Sequence, residues 1–313
     1  MTRVSVVVPT FQRASRLPAL IAALEAQTLA AEDFDVIVAD DGSRDDTANV
    51  LAGLASRTRV RLRIVRNDEN RGPGSARNIG WRSSDAPIIA FTDDDCVPAP
   101  EWLEAGIGRF DDASVGIVQG RTIPDPHVPN TGWTKTLTID RFSPLYQSCN
   151  IFYRTDVLRR TGGFDETFRE PFGEDTAIGW QARRLGAAAS FAHDALVFHS
   201  VSRPDVRYWW RYALMHRNFA TLARKFPEMR REFFWCRLFI WRNHAIFDAA
   251  FAGAILGTVW RPALTLVLPY VYIRRPRRLE RAAIVAPFQA TAFDAAILAG
   301  LLIGSVKERT LVL

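Results

Sequence analysis

Cysteine is scarce in this chain, whose 313 residues include three: Cys96, Cys149 and Cys236. The three lie far apart and form no Cys-x-x-Cys pair, so the sequence predicts neither a disulfide framework nor a zinc site. We expect the thiols to be reduced.

An N-terminal secretory signal and the common phosphate-loop signatures are also absent. Met1-Thr2-Arg3 leads into only a short apolar run that ends at Pro9, so residues 1–230 are expected to remain in the cytoplasm. The glycine-rich turn at residues 71–78 is not followed by Gly-Lys-Ser/Thr, which excludes a Walker loop. It also lacks the spacing of a dinucleotide fingerprint.

The composition is that of an ordinary globular protein, with 48% hydrophobic and 24% charged residues, so extensive disorder is not expected. The net charge of +6 is modest, but many arginines follow residue 200, which favours an anionic surface as partner for that half. We expect no nucleic-acid partner. The length and a change in composition predict one large domain, residues 1–232, and a second region, residues 233–313.

Strands and helices alternate four times in the first part of the chain. This pattern predicts an α/β fold with a mostly parallel sheet covered on both faces. In the first helix, four apolar residues recur at the spacing of one buried face: Leu17, Leu20, Ile21 and Leu24. The strands are expected at Val4–Val8, Phe34–Ala39, Val60–Val65 and Pro87–Phe91, with later ones at Val115–Gly120, Ser148–Tyr153 and Ala188–Phe198.

Three consecutive carboxylates, Asp93, Asp94 and Asp95, follow the predicted strand at residues 87–91. Ligands bind at the carboxyl ends of strands in open α/β sheets, and adjacent carboxylates repel one another unless a cation is present. A hard divalent cation on Asp93 and Asp95 would leave Asp94 to accept a hydrogen bond, for example from a sugar hydroxyl. The alternative is a solvated acidic turn, because Asp is common in turns.

Three further motifs have two readings each. The turn Arg71–Asn78 has two glycines and two arginines, which suit phosphates at a helix start, but a plain connector explains it as well. The pair Glu174-Asp175 opens a predicted helix, where it complements the helix dipole or supplies a carboxylate that takes a proton. His199 ends a strand and can complete a metal shell, although His193 competes for that role and a lone histidine is more often structural.

Two segments lie between these motifs and the tail. Residues 121–145 have little periodicity, and in a compact domain such a stretch is more often a functional loop than a linker. Farther along, apolar residues at spacings of three and four predict one amphipathic helix that packs into a core. They are Tyr208, Tyr212, Met215, Phe219 and Leu222.

The tail contains three apolar stretches, residues 245–260, 262–273 and 283–306. The first two are shorter than the ~20 residues of a spanning helix and meet at Arg261-Pro262, which predicts a re-entrant hairpin or two helices in the headgroup layer. The third is long enough to span, although Gln289 and Asp294 weaken it. A soluble helical subdomain or a dimer interface is the alternative. Between the second and third stretches lie Arg274, Arg275, Arg277, Arg278 and Arg281.

Six motifs, in this order, resemble the inverting glycosyltransferases of family 2, a group with the GT-A nucleotide-sugar fold. The resemblance covers residues 4 to about 200, and it implies a GT-A domain followed by an α-helical C-terminal region. The motifs are Val-Val-Pro-Thr-Phe-Gln-Arg at 7–13, Asp-Asp-Gly-Ser at 40–43, Gly-Ser-Ala-Arg-Asn at 74–78, the aspartates at 93–95, Gly-Gly-Phe-Asp at 162–165 and Gly-Glu-Asp at 173–175.

The resemblance assigns a role to each motif residue. Asp93 and Asp95 fill the Asp-x-Asp positions that hold Mg²⁺ or Mn²⁺, and His199 matches a histidine that joins the metal in some members. Asp175 occupies the place of the catalytic base. Because Asp94 is itself acidic, the resemblance leaves open which carboxylate binds the metal directly. The implied substrate-binding residues are Pro9, Thr10 and Arg13 near the nucleotide, Asp41 at the base, Arg77 at the diphosphate, and Asp94 and Glu174.

The implied reaction is a metal-assisted single displacement from a nucleoside-diphosphate sugar to an acceptor hydroxyl, as in a hexosyltransferase. The tail suggests a lipid-linked or membrane-proximal glycan as acceptor, a position at the cytoplasmic face of a membrane, and a possible homo-oligomer through the C-terminal helices. The rival is a non-catalytic nucleotide-sugar-binding or scaffold protein with the same fold. A nucleotidyltransferase is weaker, because no glycine-rich Lys/Arg signature lies near the first strand.

Overall fold

The computed structural model describes residues 2–130, 133–275 and 281–313, and the side chains of residues 281–285 are not described. The chain forms two compact units, Met1–Arg203 and Pro204–Leu313. From the length and composition of the sequence, we predicted this boundary after residue 232. The structure places it earlier because helices at Val206–Met215 and Asn218–Lys225 pack against the long C-terminal helix, where Gly300 lies against the carbonyl of Ala213.

The described part of the first unit contains an eight-stranded mixed sheet. Its strands are β1 (Val4–Thr10), β2 (Phe34–Asp40), β3 (Arg61–Arg66), β4 (Ile88–Thr92), β5 (Cys96–Pro98), β6 (Val115–Pro124), β7 (Asn150–Arg154) and β8 (Ala188–His199). The spatial order is β3-β2-β1-β4-β7-β6-β8-β5. The first four strands are parallel, as the alternating pattern predicted, and β7 is antiparallel to β4.

Helices cover both faces of the parallel strands. The helices of this unit are α1 (Leu17–Glu25), α2 (Thr47–Ala55), α3 (Pro73–Arg82), α4 (Trp102–Ile107), α5 (Thr155–Thr161) and α6 (Glu174–Arg184). Alternate side chains of β1 point to opposite faces. Val6 and Val8 belong to the apolar core that includes Leu17 of α1, whereas Val7 faces α3, where a Cβ on Gly80 would lie 2.5 Å from it.

The strand ends bring polar residues to one edge of the sheet. β1 ends at Thr10, β2 at Asp40 and β4 at Thr92, directly before the three aspartates. The carboxyl end of β8 reaches the same region through β5, because Cys96 pairs with His199 in the antiparallel β5–β8 register. Residues that are distant in the sequence therefore meet at this edge.

The irregular segment predicted at residues 121–145 is shifted in the structure. β6 continues to Pro124, and the connection to β7 then runs through residues 125–149. Two isolated bridges attach this loop to the strands, Thr122 with Ile139 and Lys135 with Ser202. These bridges hold the loop against the ends of β6 and β8.

The regular elements of the second unit, among its described residues, are helices, which are joined by turns and by an isolated bridge between Trp235 and Phe239. Its helices are α7 (Val206–Met215), α8 (Asn218–Lys225), α9 (Met229–Glu232), α10 (Arg242–Leu256), α11 (Leu268–Arg274) and α12 (Arg281–Glu308), with a 3₁₀ segment at Arg261–Val267. The single helix predicted over residues 208–222 is two helices, α7 and α8. Arg277 and Arg278 of the arginine-rich stretch lie outside the described residues, as does the side chain of Arg281.

Candidate active site

A buried arginine joins two parts of the site. Arg77, in the second turn of α3, donates from Nη2 to Asp93 Oδ1 at 2.8 Å and from Nη1 to Glu174 Oε1 at 3.0 Å. Its guanidinium also lies 5.6 Å from the ring centroid of Phe164. Asp93 follows β4 and Glu174 opens α6, so the arginine links the central strand to a helix almost a hundred residues later in the chain.

The charges around Arg77 keep it protonated. Burial acts to lower the pKa of its guanidinium, but Asp93, Asp175 and Glu174 outweigh burial and raise that pKa above its ordinary value. Burial and the neighbouring Asp175 raise the pKa of Glu174, against the opposing effect of Arg77. The 3.0 Å contact with the Arg77 guanidinium opposes this rise, because a hydrogen bond from a cation favours the carboxylate form of Glu174.

Asp175 lies beside this ion-pair cluster at the start of α6. Gly173, just before the helix, adopts φ = 107°, a backbone conformation that glycine reaches without a Cβ penalty. One carboxylate oxygen, Oδ2 of Asp175, accepts a hydrogen bond from the backbone N–H of Ser148 at 3.0 Å. Asp175 is half-buried, and its charge acts on Arg77 and on Cys149 together with that of Asp93. The ion pairs of Arg77 with Asp93 and Glu174 therefore bring the start of α6, where Asp175 lies, close to the aspartate cluster.

Asp94 turns away from the ion pairs toward β1. Its Oδ2 accepts a hydrogen bond from Thr10 Oγ1 at 2.7 Å, and the residue is 9% exposed. Burial raises the pKa of Asp94 to about 7, and the nearby charge of Arg13 acts in the opposite direction. Pro9, the residue before Thr10, is buried within β1. The four predicted substrate-binding positions at this end of β1 therefore lie together.

Asp41 holds the turn that leads into α3. Its carboxylate accepts hydrogen bonds from the backbone N–H of Gly72 at 2.8 Å, from that of Arg71 at 3.1 Å and from Asn67 Nδ2 at 2.7 Å. Gly72 adopts φ = 94°, and a Cβ there would meet the Arg169 carbonyl at 2.7 Å. The buried carboxylate thereby fixes the glycine-rich turn. The predicted contact of Asp41 with a nucleotide base stays a prediction.

Asp95 and His199 form a second group, which includes a thiol. His199 Nε2 lies 3.6 Å from Asp95 Oδ1, and His199 Nδ1 is 2.9 Å from the carbonyl of Ser200. A proton on Nδ1, donated to that carbonyl, leaves the Nε2 lone pair directed toward Asp95. The ligand atoms of Asp95, Cys96 and His199 all lie within 4.8 Å of one another. Lys135 Nζ, from the 125–149 loop, is 3.9 Å from Asp95 Oδ2.

The sequence analysis grouped the candidate metal ligands differently from the structure. It paired Asp93 with Asp95 as metal ligands, whereas the structure pairs Asp93 with Arg77 and places Asp95 with His199. The sequence analysis also left open whether His199 or His193 is the metal ligand. In the structure, the side chain of His193 is 63% exposed and lies beside Asp194. These contacts leave His199 as the histidine at the site.

Three contributors were missed by the sequence reasoning: Cys96, Lys135 and Ser148. Cys96 and Lys135 reach the site through strand pairing and loop bridges, for which local periodicity gives no signal. Ser148 contributes a backbone N–H, which any residue type except proline could supply. Only the position of Cys96, directly after the aspartates, offered a sequence clue.

The chain belongs to glycosyl transferase family 2, whose sequence profile matches residues 5–173. It is 30% identical over 207 residues to the glycosyltransferase AglE of Haloferax volcanii, covering 63% of this chain and 66% of that protein. It is 25% identical over 268 residues to the validoxylamine A glucosyltransferase of Streptomyces hygroscopicus, covering 74% and 63%. The chain thus spans about two-thirds or less of the length of these relatives.

Solved structures share the fold. The mannosyltransferase PcManGT from Pyrobaculum calidifontis, in complex with GDP-Man and Mn²⁺, superposes with a TM-score of 0.72 over 96% of this chain and 86% of that one, at 19% identity. S. aureus TarS 1–349 with UDP-GlcNAc gives 0.55 over 99% and 93%, at 17% identity. The predicted GT-A type of fold, a mixed and mostly parallel sheet followed by a helical region, is confirmed.

Proposed function

We propose that this chain transfers a sugar from a nucleoside-diphosphate sugar to an acceptor hydroxyl, with inversion at the anomeric carbon. The observation that supports this most directly is the Arg77 bridge, which ties Asp93 at the end of β4 to the helix that starts with Glu174 and Asp175. A cation-binding aspartate, an anion-binding arginine and a proton-accepting carboxylate are the groups that such a displacement needs. Family membership makes this chemistry the natural reading of the site.

Asp175 is the proposed base. The Ser148 N–H holds its Oδ2, which leaves Oδ1 to take the proton of an acceptor hydroxyl as that oxygen attacks the sugar. The attacking oxygen forms its bond to the anomeric carbon while the bond to the diphosphate breaks on the opposite face. A single displacement of this kind inverts the configuration.

Arg77 is the proposed partner of the leaving diphosphate. Its two terminal nitrogens bind carboxylates, and an exchange of Asp93 for a phosphate oxygen would keep the guanidinium paired. Glu174, which is almost wholly buried, would hold the other nitrogen in place during this exchange. The arginine thereby stabilises the negative charge that grows on the diphosphate.

The residues near Asp95 fit a divalent cation. The imidazole of His199 is oriented by the Ser200 carbonyl, and its Nε2 lies 3.6 Å from Asp95 Oδ1, as expected for two ligands before a cation draws them together. We propose that Asp95 and His199 hold Mg²⁺ or Mn²⁺, with Asp93 joining when Arg77 turns to the diphosphate. When bound, the cation supplies charge neutralisation at the diphosphate oxygens.

The tail supports a position at a membrane. By length and composition, one described helix, Ala286–Glu308, is able to cross a membrane. Many large apolar side chains of α10, the 3₁₀ segment and α11 are also exposed, and so are Val259, at 85%, and Trp260, at 63%, in the turn between α10 and the 3₁₀ segment. We propose that the second unit contacts the cytoplasmic face of a membrane and that the acceptor is a lipid-linked or membrane-proximal glycan. Association of two copies through these helices is the alternative use of the same surface.

A thermal-shift screen of nucleoside diphosphates with and without Mn²⁺ tests the proposal. We expect one base to raise the melting temperature of the full chain, and the rise to require Mn²⁺, because ligand binding to the native state stabilises it. The relatives' structures contain GDP-Man and UDP-GlcNAc, so GDP and UDP are the first to compare. If no nucleotide shifts the melting temperature in the presence of Mn²⁺, the proposed donor class is wrong.

A further inference from the structure

A thiol borders the proposed cation site. Cys96 begins β5, its Cα pairs with that of His199, and its backbone N–H donates to the Asp93 carbonyl at 3.1 Å. This places Sγ next to the two groups that we propose as cation ligands. The ligand atoms of Cys96, Asp95 and His199 lie within 4.8 Å of one another.

The position of Cys96 differs from that of the other buried thiol. Cys96 and Cys149 are each 1% exposed and both belong to the apolar core. The Sγ of Cys149 lies 3.8 Å from the hydroxyl of Thr122 and is not part of the converging group. Apolar packing explains why both thiols are buried, but it does not explain why one of them converges with an imidazole and a carboxylate.

The chemical types of the three ligand atoms, one oxygen, one sulfur and one nitrogen, determine which cations the group would bind most tightly. Ligand atoms in a tetrahedral zinc site, with bonds of 2.0–2.3 Å, lie about 3.5 Å apart, so small side-chain movements would bring this group to coordinating distance. Mg²⁺ prefers oxygen ligands, whereas Zn²⁺ and Co²⁺ accept sulfur, nitrogen and oxygen together. While Asp93 is paired with Arg77, the three ligands Asp95, Cys96 and His199 leave one position of a tetrahedral site open, as in zinc sites that bind a substrate or water.

We propose that Cys96 Sγ is a third protein ligand at the cation site, so that the site binds a thiophilic divalent cation of the Zn²⁺ type more tightly than Mg²⁺. The inference rests on the proposed function, because it takes Asp95 and His199 as the other two ligands. Lys135, whose ammonium lies 3.9 Å from Asp95, would leave when the cation binds, since the two positive charges repel.

Cobalt absorption tests the ligand directly. The variant Cys149→Ala/Cys236→Ser keeps Cys96 as the sole thiol among the three cysteines. Titration with Co²⁺ alone is expected to produce sulfur-to-cobalt charge-transfer absorption that saturates at one equivalent. Addition of Cys96→Ser to this variant should remove the band. Absence of the band in the sole-thiol variant overturns the proposal, and this measurement needs no substitution at Cys96.

Calorimetry measures the selectivity. In the full chain with Cys236→Ser, we expect Cys96→Ser to weaken Zn²⁺ binding at least tenfold and to change Mn²⁺ binding by no more than about twofold. Cys149→Ala is the matched control and should leave both affinities unchanged. Equal Zn²⁺ affinity with and without the Cys96 thiol contradicts the proposal.

The two proposals fail in different ways. If nucleotides bind in the presence of Mn²⁺ but the sole-thiol variant gives no sulfur-to-cobalt absorption, the proposed glycosyltransferase function is retained. Cys96 is then not a ligand at the cation site. Loss of all nucleotide binding in the chain that retains all three cysteines argues against the function itself.

Discussion

Arg77 is the residue on which the proposed site most depends. The residue is 4% exposed, and both terminal nitrogens of its guanidinium bind carboxylates that lie on different elements. A buried charge of this kind is tolerated because its partners are fixed around it, and removal of one partner leaves the others unpaired. The same contacts that hold the fold together are therefore the ones proposed to meet the diphosphate.

Replacement of Arg77 should destabilise the first unit. We expect Arg77→Met to lower the free energy of unfolding by about 3 kcal/mol, because Asp93 and Glu174 remain partly or wholly buried without a counter-charge. Urea denaturation followed by tryptophan fluorescence measures the change. Arg82→Met is the control, since the Arg82 side chain is 49% exposed and its loss should cost less than about 1 kcal/mol. Equal stability of the two variants would contradict the structural role of Arg77.

Asp175 should matter for catalysis rather than for donor binding. Asp175→Asn keeps the shape and an oxygen for the Ser148 N–H but cannot take a proton, so transfer should fall by about 10³-fold. Nucleotide affinity, measured by calorimetry with Mn²⁺, should change by less than about threefold, since the base contacts the acceptor. Asp194→Asn, at a side chain that is 80% exposed, is the control and should leave both unchanged. A large loss of nucleotide affinity would remove Asp175 from the role of base.

At the scale of elements, the sequence patterns predicted those features that depend on residues close together in the chain. The apolar spacing in α1 identified its four buried residues, and the Gly173-Glu174-Asp175 stretch does open a helix. The carboxyl ends of β1, β2 and β4 were predicted from sequence because parallel strands bring their ends to one edge. This much of the site, including Thr10 and Asp93, follows from pattern alone.

Contacts between distant segments could not be predicted in the same way. The Arg77–Asp93 ion pair and the Cys96–His199 register depend on how α3, β5 and β8 are placed, which no single segment specifies. The helix predicted over residues 208–222 is divided at His216–Arg217 because α12 packs there, with Gly304 against the carbonyl of Arg217. Tertiary packing thus overrode the periodicity of the segment.

The break between α7 and α8 should make the second unit sensitive to acid. Burial lowers the pKa of His216 to about 4, below the ordinary value of 6.5. The unfolded chain therefore binds more protons between these values, and stability that is present above about pH 6.5 is lost as the pH falls toward 4. For His216 alone, the loss at pH 5 should be about 2 kcal/mol.

Thermal unfolding of the second unit at pH 7 and pH 5 measures this effect. His216→Gln keeps an N–H for the carbonyls of Tyr212 and Ala213 but does not titrate, so it should reduce the acid sensitivity. His127→Gln, on an exposed residue of the other unit, is the control. The same pH dependence in His216→Gln and in the unsubstituted chain would contradict the assignment.

At the scale of the whole molecule, the second unit carries a large share of the exposed apolar surface. The exposed side chains belong to the end of α10, the turn that follows it, the 3₁₀ segment, α11 and α12, and basic residues lie among them. Apolar side chains beside arginines suit a surface of anionic lipids. Among the most exposed are Val259, Trp260, Leu268, Tyr272, Phe288 and Val306.

Vesicle binding tests this surface. We expect the full chain to co-sediment with vesicles of phosphatidylcholine and phosphatidylglycerol, and Val259→Ser/Trp260→Ser to weaken binding at least tenfold. Each side chain should contribute about 1.5–3 kcal/mol on burial in the lipid interface. Val206→Ser is the control, because this valine is 68% exposed in α7, away from the apolar tail segments in the sequence. Equal binding of the double variant and the control would favour association between copies of the chain.

The strand order also has a consequence for synthesis on the ribosome. β1 to β4 all come from residues 4–92 and pair only with one another until β7 joins at residue 150. At about 5–20 residues per second, the parallel half emerges seconds before α6. During that interval Arg77 has Asp93 but not yet Glu174 as a counter-charge. We expect nascent chains stalled beyond α6 to resist protease at residues 4–92 more than chains stalled before it.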